Sequence, residues 1–183
     1  MTIAEAQNDV CRAYVDGGPG QVVSGVVWLA AATAVYARGI SVGFAVLFGG
    51  GVLIFGVTTV ICRFVFGRAP MNAANPLGRV VLESTIAMMG GLFAACLFLG
   101  LRPAMVFPVA AIAVGTHYAS FRTAYGSALF WVLAGLLTAV GFFGAFGLLR
   151  NTAVLALTVG LIEIVFGCFV TQRALRRVDP TRC

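Results

Sequence analysis

The chain has 183 residues, 61% of them apolar and only 10% charged, with 23 glycines and a mean hydropathy of +1.02. Soluble domains carry about 25% charged residues, so a water-soluble globule is excluded and the bilayer is the solvent the composition asks for. The net charge of +6 comes with 12 basic residues, all arginine; they stand singly at the ends of apolar runs, which reads as membrane anchoring and not as a nucleic-acid face.

The first elements are short and polar. Residues 1–16 lack the apolar h-region of a secretory signal, since Glu5, Asp9, Arg12 and Asp16 interrupt them. Thr2 and Glu5 instead have capping-box spacing, and Ile3, Ala6, Val10, Ala13 and Tyr14 form one apolar stripe at helical period. This predicts an amphipathic helix over Thr2 to Val15, lying on the membrane surface or docking a protein partner, and stopped by Gly17-Gly18-Pro19-Gly20.

Six apolar runs follow, at 21–36, 41–62, 77–101, 104–118, 126–149 and 153–170. A spanning helix needs about 20 residues, so six spans fill the chain and leave no room for a second, soluble domain. Each run must be helical, because an isolated strand in lipid leaves its backbone unpaired. Asn75-Pro76 offers a cap and first-turn proline for the third run, Arg102-Pro103 separates the third from the fourth, and Arg150-Asn151 turns the fifth into the sixth. The fourth run is short and contains Pro108. The expectation is an all-α polytopic bundle of six transmembrane helices, with residues 171–183 as a basic tail.

Sidedness follows from the arginines. Arg12, Arg63, Arg68, Arg79, Arg122, Arg173, Arg176, Arg177 and Arg182 fall on one side, against Arg38, Arg102 and Arg150 on the other. The positive-inside rule then puts both termini in the cytoplasm. On this topology four of the five cysteines face a reducing compartment and Cys96 lies in a span, so free thiols are expected. A faint repeat, Ser24 to Trp28 against Ser127 to Trp131, pairs spans one and two with five and six.

Three ionisable side chains interrupt the runs: Glu83, His117 and Glu163. At membrane depth each charge costs roughly 2.5 to 3.5 kcal/mol on insertion scales, so each calls for a reason. Small residues share their helical faces: Glu83 with Ala87, Gly90 and Ala94, His117 with Ala110 and Ala113, Glu163 with Ala156, Gly160 and Gly167. Such faces permit close helix approach and are expected to point into the bundle. There the three form a candidate polar cluster, either a proton-titrating or ligand-binding pocket or a structural clasp, and Arg79 could pair with Glu83 one turn on. Gly49, Gly50 and Gly51 in the second span are a site of helix break or of close packing.

Other chemistries are absent. There is no lysine for a Schiff base or phosphate loop, no HExxH or GxSxG, and a single histidine, so no catalytic residue, metal site or cofactor is expected. The stretches Gly17-Gly18-Pro19-Gly20 to Trp28, Phe48-Gly49-Gly50, Asn75-Pro76-Leu77, Leu82-Glu83-Ser84-Thr85, Phe107-Pro108 and Gly115-Thr116-His117-Tyr118 to Tyr125-Gly126 resemble a family of small, uncharacterised bacterial multi-pass membrane proteins. The C-terminal span with its arginine tail resembles, more faintly, acid-resistance membrane proteins built from helical hairpins. The main resemblance implies fold and compartment and no catalytic role. Two functions are expected from the residues: a structural or accessory protein that binds lipid, another membrane protein or itself, or a proton-coupled carrier of a small solute working through Glu163.

Overall fold

A computed structural model describes residues 1–176, and every element among them is helical. In chain order these are α1 (Ile3–Tyr14), α2 (Gly18–Arg38), α3 (Ile40–Val60), α4 (Leu77–Leu101), α5 (Val106–Tyr125), α6 (Leu129–Ala145) and α7 (Thr152–Arg176), with a π-helical turn, Ile61–Val65, continuing α3. Among the described residues, five helical segments are long and apolar enough to cross a membrane. They are Ile3–Arg38, whose continuous spanning part is α2, then Ile40–Val65, Leu77–Leu101, Pro103–Tyr125 and Thr152–Arg176. α6 is equally apolar but has 17 residues, about 25 Å of helix.

Local chemistry sets the ends. Asn151 Oδ1 accepts from the Val154 amide at 3.1 Å and so caps α7. At α4 the N-cap position is Pro76 and not the expected Asn75, whose Oδ1 accepts from the Leu77 amide at 3.0 Å in a turn just before the helix. Pro108 lies within the first turn of α5, where no amide is needed from it; the helix therefore runs past the expected end at 118 to Tyr125. Gly126, at φ 70, closes it. α6 is correspondingly shorter than the 126–149 run, and residues 171–176 belong to α7 instead of a tail. The remaining tail residues, 177–183, lie outside the described residues.

α1 has the anticipated capping box, with Glu5 N–H donating to Thr2 Oγ1 at 3.3 Å and Thr2 N–H donating to the Glu5 carboxylate at 2.7 Å. Ala6, Val10 and Ala13 on its stripe are buried, whereas Ile3 is exposed. The stripe packs on α5 and α4 of the same chain, so the face expected to meet lipid or a partner is covered internally. The polar side is also engaged. Arg12 donates to the carbonyls of Ala69 and Pro70 at 3.2 and 3.1 Å, and Asp9 accepts from the Asn72 amide at 2.9 Å and Asn75 Nδ2 at 3.0 Å. α1 is thus a clasp over the α3–α4 loop.

Between α1 and α2 the chain reverses through Val15, Asp16 and Gly17, at φ 51, 53 and 83. A Cβ on Gly17 would meet the Tyr125 ring at 2.9 Å, so both conformation and space call for glycine. The long helices form an arc in the order α3, α2, α7, α6, α5, α4. α2 packs extensively on α7 and α3, and α5 on α6 and α4, while α3 and α4 at the two ends of the arc touch only lightly. Trp28 is buried against Phe107 and Trp131 is exposed, so the two Ser-x-x-x-Trp stretches do not share an environment. Cys62, Cys96 and Cys168 are free thiols, whereas Cys11 is disulfide-bonded, against the expectation of free thiols throughout.

Candidate functional site

α2 and α7 run antiparallel and approach closely at two glycine pairs. A Cβ on Gly18 would lie 2.7 Å from the Gly167 carbonyl oxygen, and one on Gly25 would lie 2.7 Å from that of Gly160. Between these contacts Val22 and Ile164 fill the interface, and three buried polar side chains lie at the same level: Gln21 and Ser24, one turn apart on α2, and Glu163, near the middle of α7. Gln21 is 1% exposed and Glu163 0%. From α5, Tyr118 closes the site, its side chain also buried.

The Ser24 and Tyr118 hydroxyls face the Glu163 carboxyl, yet neither of its oxygens completes a hydrogen bond, and Gln21 Oε1 is likewise unpaired. Three buried acceptor atoms thus lie here without a completed hydrogen bond, although two neutral hydroxyls face the carboxyl. An ionised carboxylate there has no counter-charge among the facing side chains, so charge can be held only with a cation or replaced by a bound proton. On the α1 side of the seam lies a cavity of about 370 Å³ lined by Asp16, Tyr125, Ser127, Phe130 and Arg173 among others.

His117 is engaged elsewhere. Its Nδ1 lies 2.6 Å from Ser84 Oγ of α4, and Ser120 Oγ donates to Ser84 Oγ at 2.8 Å. With the ring proton on Nε2, this is a closed hydroxyl chain tying α4 to α5. Phe121 packs edge-on against the imidazole at 4.8 Å between ring centres.

Glu83 is placed apart from both. It is exposed on the outer face of α4, as are Ala87, Gly90 and Ala94, and it makes no ion pair with Arg79. The inner face of α4 is Leu77, Ser84, Leu92 and Ala95, so the small-residue stripe there marks the outside. The three ionisable groups of the sequence therefore form no single cluster. In α3 the glycine triplet is continuous helix. Gly50 sits against Val27, where a Cβ would come within 2.6 Å, whereas Gly49 and Gly51 face open space.

Sequence reasoning singled out Glu163 and missed the company it keeps. Ser24 and Gln21 were visible as polar residues one turn apart in an apolar run, and Tyr118 adjoins His117. Their convergence on α7 is a long-range pairing that no periodicity encodes. A family model described as a family of unknown function, DUF7010, matches residues 3–173. No curated protein and no solved structure matches the chain.

Proposed function

The chain belongs to that family, which brings no assigned activity with it, and we propose from the geometry that the protein is a carrier of a small solute coupled to protonation of Glu163. It works in the cytoplasmic membrane of a bacterium, with six crossings and both termini inside. The observation that supports this reading is the wholly buried, unpaired carboxyl at mid-helix in α7. A structural clasp satisfies its polar atoms, as Ser84, His117 and Ser120 do; a proton-binding group must be able to lose and regain its partner. The test is pH-dependent flux. In proteoliposomes with an internal pH dye, a panel of amino acids, amines, sugars and carboxylates should include a solute that moves protons with the native chain and not with Glu163→Gln. A panel silent with the native chain overturns the reading.

A second reading, an accessory protein in a membrane complex, is favoured by Glu83, which is exposed on the outer face of α4 beside Ala87 and Gly90. A carboxylate and small residues on a lipid-facing surface suit a neighbouring helix that covers them. Purification in mild detergent should then bring down a second membrane protein in fixed ratio, lost on Gly90→Leu.

A further inference from the structure

We propose that the seam between α2 and α7 binds a monovalent metal cation, sodium by the chemistry of its ligands, on the Glu163 carboxylate with Ser24 Oγ and Gln21 Oε1. The proposal rests on the reading of Glu163 as the coupling group and names the ion that competes with the proton there.

Three features lead to it. The unpaired atoms at the seam, both Glu163 oxygens and Gln21 Oε1, are acceptors. The two hydroxyls that face the carboxyl complete no hydrogen bond to it; a cation satisfies such acceptors, and an all-oxygen set of carboxylate, amide and hydroxyl suits a hard one. The second feature is charge. Glu163 supplies one negative charge; the groups that face it, the Ser24 hydroxyl from α2 and the Tyr118 hydroxyl from α5, are neutral, as is Gln21, buried one turn from Ser24. α6 presents no titratable side chain, and Asp16 and Arg173 line the cavity at the α1 end. His117, next to Tyr118, is turned to Ser84. A monovalent ion therefore leaves the seam neutral at membrane depth, whereas a divalent ion leaves a net charge there, which is costly. The third is space. The glycine contacts at Gly18 with Gly167 and Gly25 with Gly160 hold the two backbones together on either side of the site. A small ion fits between them better than an organic cation.

Competition between sodium and the proton can be read without knowing the transported solute. Dicyclohexylcarbodiimide, an apolar reagent that modifies protonated carboxyls, should label Glu163 of the purified full chain at mildly acidic pH, and Glu163→Gln should abolish that label. Sodium at about ten times its dissociation constant should slow labelling about tenfold by mass action, whereas N-methylglucamine at equal ionic strength should not. Ser24→Ala and Gln21→Leu should still be labelled but need more sodium for protection. Labelling that proceeds equally fast in sodium and in N-methylglucamine overturns the sodium site and leaves proton binding at Glu163 standing. No labelling of Glu163 at any pH overturns both.

Discussion

At the scale of single residues, Glu163 and His117 illustrate two ways of placing an ionisable group among helices. Glu163 is buried without a hydrogen bond, so replacing it with an apolar side chain of similar volume removes an unmet polar group. Glu163→Leu should raise thermal stability in detergent, by about 1 to 3 kcal/mol, while ending cation-dependent behaviour. A lower melting temperature would show that the carboxyl is structural. His117 is the opposite case, because Ser84 and Ser120 satisfy it. Ser84→Ala leaves Nδ1 unpaired and should cost about 1 to 3 kcal/mol, read as a lower melting temperature. The sequence made both residues stand out, since ionisable groups in apolar runs are rare, but it could not tell them apart. Which of them is satisfied depends on residues from other helices.

At the scale of elements, glycines decide how close the helices come. On Gly25 an added methyl would meet the Gly160 carbonyl oxygen at 2.7 Å and Ile164 Cγ1 at 2.6 Å, and the carbonyl is backbone that cannot swing away. Gly25→Ala should therefore destabilise by roughly 1 to 3 kcal/mol. Gly51 has nothing within 4 Å, so Gly51→Ala should gain up to about 1 kcal/mol from helix propensity. Opposite shifts in melting temperature check the pair. The α1 clasp makes a prediction about pH. Burial pushes the Asp9 carboxyl up, but hydrogen bonds from Asn75, Arg12 and the Asn72 amide outweigh it and hold it below the ordinary carboxyl range. A group lowered in the folded state stabilises above its unfolded pKa of about 3.9, and that contribution is lost as pH falls through the folded value. Limited proteolysis within residues 1–16 should then be constant from neutral pH to about 5 and rise only in stronger acid. Asp9→Asn should expose the segment already at neutral pH. Helix ends at Asn75-Pro76, Arg102-Pro103 and Arg150-Asn151 were legible because capping is local chemistry. The inward face of α4 was not, because small residues mark a close contact only where a second helix is present to make it.

At the scale of the molecule, the question is how many times the chain crosses. Five segments meet the length for spanning, and α6 at about 25 Å of helix falls a few ångströms short of a core about 30 Å thick. Yet α6 packs closely along α5 and also touches α7, and its exposed side chains, Trp131, Val132, Leu136, Phe142 and Phe143, are apolar. A helix held that way and greasy on its outer side suits the proposed sixth crossing, which would need the bilayer to thin slightly around it. Six crossings put the α3–α4 loop and the α1 clasp on one side, and Gly39, Arg102 and Arg150 on the other. In a chain with its own cysteines replaced, Gly39→Cys, Arg102→Cys and Arg150→Cys should each react with an impermeant maleimide in intact cells. Ala73→Cys should react only after permeabilisation. If α6 does not cross, Arg150→Cys switches sides while Gly39→Cys and Arg102→Cys do not, and Arg176 ends opposite α1. The arginine bias would then no longer support a common side for the two termini, so this one position discriminates five crossings from six.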